Sequence, residues 1–177
     1  MQSERIVTGD RNGKSVFLDG MAQPPRSIFK TIDGFVVSKF WSTAPGVPLP
    51  TTIGDPTVAV RSLLPEPGGT SFLIVQFPPD AVLASLAEPQ AAMAEYAAKL
   101  PGLFEKFEPA NPGFHKTETV DYAILLSGEL WLELDGDAVR RLRPGDVVVQ
   151  NATRHAWRNK TDAPAVIAFV LIGCHAT

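Results

Sequence analysis

Residues 115–129 read His115-Lys116-Thr117-Glu118-Thr119-Val120-Asp121-Tyr122, then Ala-Ile-Leu-Leu-Ser, Gly128 and Glu129. Residues 145–159 read Gly145-Asp146, then Val-Val-Val-Gln150, Asn-Ala-Thr, and Arg154-His155-Ala156-Trp157-Arg158-Asn159. Both are short, glycine-punctuated strand patterns, and they hold two of the three histidines in the chain. Two imidazoles and one carboxylate from different strands could hold a metal ion in a barrel mouth, and whether they do is the question these stretches pose.

The pattern around these stretches is that of an all-β protein. Tyr122–Leu126, Glu129–Leu134, Ala138–Leu142, Asp146–Gln150, Ala156–Asn159 and Ala165–Ile172 are short strand candidates separated by turn residues. Leu130, Leu132 and Leu134 alternate with Trp131 and Glu133, which gives one strand an apolar face. Near-regular spacing of such strands over 114–173 predicts an antiparallel sandwich or barrel. Residues 4–78 add further candidates: Arg5–Thr8 and Ser15–Leu18 around a glycine turn, Arg26–Thr31 and Gly34–Trp41, then Val58–Leu64 and Thr70–Phe77 around Pro65–Gly69. Residues 80–108 differ. They are alanine-rich, Asp80 is a candidate N-cap, and Met93, Tyr96, Ala97, Leu100, Phe104 and Phe107 recur at helical spacing. Pro89 and Pro101 should divide the region into short helices. Such an insert either packs on the sheet or closes over a binding site.

Length and composition set the class. A chain of 177 residues suits one domain with its own core. Sixteen prolines and fourteen glycines favour short strands and turns over a helical bundle. A net charge of −3 without like-charge runs offers no footprint for nucleic acid. Arg140, Arg141 and Arg143 are flanked by Asp135, Asp137 and Asp146 and read as a solvated turn. Cys174 has no partner for an internal disulfide and reads as a buried thiol. Without a membrane-length apolar run or an apolar leader, a cytoplasmic setting and no membrane partner are the expectation. Exposed edge strands in the first region predict a homodimer.

The two quoted stretches resemble the motifs of the cupin superfamily. His115 takes the first histidine position of motif one, Asp121 the glutamate position, and Gly128 the closing glycine. In motif two, Gly145, His155 and Asn159 match. Thr117 stands where a second histidine is usual, Asp121 is one methylene shorter than glutamate, and Asn151-Ala152-Thr153 replaces the Pro-x-Gly turn. The resemblance implies a single-domain jelly-roll β-barrel with the helical insert at 80–108. It also implies a fold-back that would bring Asp121 toward His115, since six residues of straight strand span about 20 Å.

If His115, Asp121 and His155 converge, the set suits a divalent transition metal such as Fe, Mn, Ni or Zn, with positions open for substrate. Gln150, Trp157 and Tyr122 would then shape a pocket for a small-molecule ligand, polar or carboxylated. Each residue also has a plainer role. His115 suits a surface strand start, His155 a buried neutral imidazole with a hydrogen-bond partner, Asp121 a turn cap or an arginine partner, and Trp157 the core. His155, Trp157 and Asn159 alternate onto one face. Cupins include enzymes of several classes and non-catalytic binders, so the resemblance leaves open a metal-dependent enzyme, a ligand-binding module and a structural barrel.

Overall fold

The computed structural model describes residues 4–21, 23–48 and 55–175. Eleven strands form three antiparallel sheets among these residues. The large sheet has the order β3 (Arg26–Ile28), β4 (Val36–Thr43), β5 (Thr70–Phe77), β11 (Ala165–Gly173), β6 (Thr119–Ser127), β9 (Val147–Asn151). The small sheet has the order β10 (Ala156–Arg158), β7 (Leu130–Glu133), β8 (Val139–Leu142). A separate hairpin pairs β1 (Thr8–Arg11) with β2 (Lys14–Phe17). The core is built from alternate positions of the two larger sheets, including Ala123, Leu125, Leu130, Leu142, Ile167 and Phe169. Full burial of aliphatic side chains such as Leu125 and Ile167 stabilises by about 1.5–3 kcal/mol each.

The motif glycines have separate physical roles. Gly128 has φ +75 in the turn between β6 and β7, and a Cβ there would lie 2.7 Å from Ala165 Cα and from the Pro164 carbonyl oxygen. Gly145 has φ +94 in open space, so only its backbone conformation calls for glycine.

Most expected strands form, with some corrections. The first strand starts at Thr8, so Arg5–Val7 precede it. Val58–Leu64 forms no strand. A 3-10 turn occupies Pro56–Val58, capped by Asp55, whose carboxylate accepts from the Thr57 amide, and irregular chain follows. Part of the proline-rich connector, residues 49–54, lies outside the described residues. Cys174 is half-buried, with its thiol 3.5 Å from the Ile172 carbonyl.

The insert contains α1 (Asp80–Ala84), α2 (Pro89–Lys99) and a 3-10 turn at Phe104–Lys106. Asp80 lies inside the first turn of α1, and its predicted cap position is taken by Pro79. Its Oδ1 instead accepts from the Asn159 amide at 2.9 Å, while its own amide donates to the Asn159 carbonyl at 2.8 Å. The buried face of α2 also differs from the predicted one. Ala92 and Leu100 are fully buried and Tyr96 packs on the core, whereas Met93 and Ala97 face solvent. Residues 92, 96 and 100 form one i, i+4 ridge, and that ridge meets Phe29 and Phe35.

Glu95 ties α2 to the loop before β4. Its carboxylate accepts from the Lys30 amide at 2.9 Å, the Thr31 amide at 2.8 Å and the Thr31 hydroxyl at 2.5 Å, and it pairs with Lys99. Burial opposes ionisation, but these donors outweigh it and hold the carboxyl down to about 2. Its contribution to stability is present above the ordinary glutamate range and lost as pH falls through about 2. Allowing for solvent screening, Glu95→Gln is expected to cost about 1–2 kcal/mol in urea unfolding at neutral pH. The difference from the native chain should shrink steadily toward pH 2; equal stability at pH 7 would refute this assignment.

Candidate functional site

The site lies where the chain passes from one sheet to the other, and it does so twice. In the first crossing, His115 bridges His155 at the edge of the small sheet, and by Thr119 the chain has joined the large sheet as β6. In the second, Gln150 in β9 pairs with Asp121, and by His155 the chain has reached the small sheet. The crossings run antiparallel, so two register-matched pairs face the interior: Asp121 with Gln150, and His115 with His155. The fold-back implied by the family resemblance takes the form of this change of sheet.

Burial alternates without a break from His115 to Leu125. His115, Thr117, Thr119 and Asp121 point inward, ahead of the apolar Ala123 and Leu125. Thr117 and Thr119 therefore line the same interior as Asp121, with their hydroxyls 2.8 Å apart. They are functional candidates that sequence reasoning left out. Their signal was the period-two pattern, obscured by the change of sheet inside it.

The histidine pair is held by the backbone. The His115 and His155 amides each donate to the other's carbonyl at 3.0 Å, which places both side chains on one face. Their rings lie 4.3 Å apart between centroids. His115 Nδ1 is 3.1 Å from the Gly113 carbonyl, and His155 Nδ1 is 2.9 Å from the Thr153 carbonyl. A carbonyl only accepts, so each Nδ1 carries the proton and each neutral ring presents a bare Nε2 lone pair. Burial lowers the pKa of His155 to about 4, helped by repulsion from His115 and opposed by the Thr153 carbonyl. Burial lowers that of His115 too, against the Gly113 carbonyl and the Glu108 charge. Both rings are thus neutral at physiological pH.

Asp121 is 7% exposed, and its Oδ1 is buried without a hydrogen-bond partner. Burial pushes its pKa up to about 6, and the neighbouring Thr119 hydroxyl offsets only part of this. Gln150 is 3% exposed, and its amide donates to the Thr153 carbonyl at 2.9 Å and to the Thr153 hydroxyl. It clamps the turn that delivers His155. Trp157 forms a wall between His155 and Phe169, with edge contacts at 5.9 and 5.4 Å. Tyr122 departs from the expected pocket role. It follows Asp121 on β6 and so points outward, 48% exposed.

The expected metal set assembles only in part. His115 and His155 meet, but among the described residues no group of three His, Cys, Asp or Glu side chains is placed to hold an ion. His115 and His155 offer a two-imidazole donor pair.

The insert covers this corner. Phe107 makes a β-bridge to His115 and packs tilted against its ring with centroids 4.9 Å apart, and Tyr96 of α2 packs edge-on against Phe107. The loop between is clasped by Arg154, which binds both oxygens of Glu108 at 2.6 and 2.7 Å and Asp135 at 2.6 Å. The Arg154 guanidinium also lies 4.0 Å over the Phe114 ring. Asn159 is fully buried and structural, donating to the Phe77 and Ala163 carbonyls and accepting from Thr161.

Two antiparallel sheets joined by crossing strands, with a histidine from each motif meeting inside, define a cupin barrel. Comparison with known proteins agrees: residues 103–172 match the family described as Cupin domain. Residues 103–172 therefore carry the likeness to the cupin domain family. Over 71 residues it is 39% identical to the oryzines biosynthesis cluster protein J of Aspergillus oryzae, covering 40% of this chain and 36% of that one. Over 64 residues it is 38% identical to the cupin-domain-containing oxidoreductase fogC of Aspergillus ruber, covering 34% of this chain and 32% of that one. These matches span about a third of each curated relative. Among solved structures, a Cupin 2 conserved barrel domain protein of Salinispora arenicola is 16% identical, covering 80% of this chain and 78% of that one, with a TM-score of 0.39. No helix among the described residues is long and apolar enough to cross a membrane.

The Asp121 environment makes a stability prediction. Its native pKa of about 6 lies above the ordinary 3.8, so the folded state binds this proton more tightly than the unfolded chain. Its ionisation therefore reduces stability as pH rises from about 4 to 6, by about 1–3 kcal/mol in total. Asp121→Asn is expected to be more stable than the native chain by that amount at pH 7.5, with no gain at pH 4, in urea unfolding. A variant less stable at pH 7.5 would mean that the carboxylate has a stabilising partner.

Proposed function

We propose that this cupin binds a small polar organic molecule in the corner lined by His115, Thr119, Asp121 and His155, and that it grips the molecule through groups that donate hydrogen bonds. One observation carries the reading: the interior offers two bare Nε2 lone pairs and an unpartnered carboxylate oxygen, all acceptors in a buried place. An acceptor-only cluster is satisfied by an amine, a hydroxyl group or a cation, and it repels an ionised carboxylate. This narrows the expected polar or carboxylated ligand to the donor-bearing kind.

The same residues support acid–base chemistry on the bound molecule. The Asp121 carboxyl, which titrates near pH 6, can take a proton from the bound molecule and return it. The relatives' names, one placing its protein in a biosynthesis cluster and one calling its protein an oxidoreductase, support an enzyme acting on a small biosynthetic molecule. Trp157 forms one wall, and Phe107 shields the imidazoles from water.

A second reading is a metal-dependent enzyme. The paired Nε2 atoms favour it, because a histidine that donates Nδ1–H to a carbonyl is oriented as ligating histidines are. His115 and His155 would hold Fe, Mn, Ni or Zn, which when bound supplies Lewis-acid activation.

One experiment separates the readings. Untagged protein is exposed to Fe(II), Mn(II), Ni(II) or Zn(II), dialysed and analysed for metal, and then screened by thermal shift against small amines, polyols and carboxylic acids. The organic-ligand reading expects far less than about one ion per chain. It also expects thermal shifts with amines or polyols that His155→Gln and Asp121→Asn abolish. A near-stoichiometric ion lost in His155→Gln would put the metal reading in its place. Stabilisation by carboxylic acids alone would overturn the donor-bearing ligand.

A further inference from the structure

The histidine corner is closed. His115, Thr119, Asp121, Gln150 and His155 are each 9% exposed or less. At such exposures an organic molecule reaches these groups only if part of the wall moves. Most of the wall is fixed in the sheets. Asp121 lies on β6, which is paired with β11 on one side and β9 on the other, and Trp157 lies on β10, paired with β7. Phe107 is held differently. It packs against the His115 ring from outside the ladders of both sheets, joined to them by its isolated bridge to His115.

Phe107 belongs to a surface strap. Leu100 and His115 are buried, and between them no residue from Pro101 to Phe114 is. The strap's own hydrogen bonds are local turns: the Phe107 amide donates to the Phe104 carbonyl, Asn111 to Glu108 and Phe114 to Asn111. Its ends are anchored. The Pro101 carbonyl accepts from the Leu63 amide at 2.9 Å, Leu103 and Phe104 pack on the core, and His115 is bonded to His155. Gly113, at φ +85, lies just before the second anchor. A segment with few buried contacts and local bonds opens at a lower free energy than the core strands beneath it.

Charge holds the strap down from its outer side. Arg154 grips both oxygens of Glu108 on the strap and reaches Asp135 in the turn between β7 and β8. Asn111 donates to the same Glu108 carboxylate at 2.9 Å, and Lys106 pairs with Glu118 at 3.8 Å. The Arg154 and Glu108 side chains are 28% and 33% exposed. Ion pairs open to water contribute little each and weaken with salt, so this fastening is strong enough to keep the strap closed and weak enough to release it. Arg154 directly precedes His155, so the fastening sits on the turn that delivers a site histidine.

We propose that residues 105–113 are a gate over the histidine corner, with Phe107 as its cover and the Arg154–Glu108 pair as its latch. Lifting Phe107 off His115 uncovers the imidazoles while β6, β10 and β11 keep their pairing. Such gating motions admit a ligand and then exclude water around it. Of the two roles that the sequence allowed for the insert, α2 takes the packing role through Ala92, Tyr96 and Leu100, and the strap behind it takes the closing role. The gate rests on the reading of the corner as a small-molecule site, since a corner that binds nothing needs no entrance.

Diethylpyrocarbonate tests the gate without any ligand, so its result is separate from that of the ligand screen. The reagent acylates neutral imidazoles, and the exposed His175 serves as an internal reference. Peptide mass spectrometry follows each histidine on the native full chain. His115 and His155 are expected to react at least about 100-fold more slowly than His175, yet faster than global unfolding allows, and about 1 M urea should barely change their rate because a local opening exposes little surface. Arg154→Met removes the charge and keeps an apolar stem. It is expected to speed both site histidines by about tenfold, still with little dependence on urea, and to leave His175 unchanged. About 0.5 M sodium chloride should speed them in the native chain too. If Arg154→Met misfolds, Glu108→Gln serves in its place. Site histidines that react as fast as His175 would mean an open corner and overturn the gate. A rate that rises with urea as global unfolding does, or a folded latch variant without acceleration, overturns it as well.

Discussion

The reciprocal backbone pair between His115 and His155 is the contact on which the site depends. Two amide–carbonyl bonds of 3.0 Å close the barrel corner. They fix both imidazoles on the inner face, and the carbonyls of Gly113 and Thr153 fix the tautomers. His115 is also the point at which the insert attaches, through its bridge and ring contact with Phe107. A continuous series of rings then runs from Phe29 and Phe35 through Tyr96 and Phe107 to the histidines, Trp157 and Phe169. Insert, corner and core are one packed unit, so a change at the corner is felt in all three.

Against this apolar packing, the interior polar residues are costly. A carboxylate with an unpartnered buried oxygen is a local conflict of the kind that stability alone would remove. Thr117 and Thr119 satisfy each other, and Gln150 is satisfied by Thr153, but Asp121 is left with only the Thr119 hydroxyl beside it. The imbalance lies wholly on the acceptor side, which gives the site a chemical preference before any ligand is named.

Much of this was legible in the residues. Strand β5 falls where the turn at Pro65–Gly69 put it, and the third region shows its strands within a residue or so, except that β6 starts three residues earlier, at Thr119. The family motifs pointed to His115, Asp121 and His155, and two of these three meet. Val58–Leu64 misled because an apolar run after a proline has the composition of a strand without a partner to pair with. Met93 and Ala97 misled because several faces of an alanine-rich helix look apolar, and packing against Phe29 and Phe35 selected the ridge of Ala92, Tyr96 and Leu100. Tyr122 was assigned to the wrong side by its nearness to Asp121, although strict alternation along β6 sends neighbours to opposite faces.

The sequence by itself determined the class of fold, because period-two alternation, turn glycines and motif spacing are local properties that each residue expresses with its near neighbours. It also singled out the two imidazoles that meet. Only the tertiary structure decided the rest: that both Nδ1 atoms are spent on carbonyls, that Asp121 Oδ1 is buried without a partner, that Phe107 packs against His115, and that an uncharged face is left open on β9, β6 and β11. Each of these depends on which distant segments become neighbours. Hydrogen-bond satisfaction and burial are set by those neighbours and not by the residue type alone.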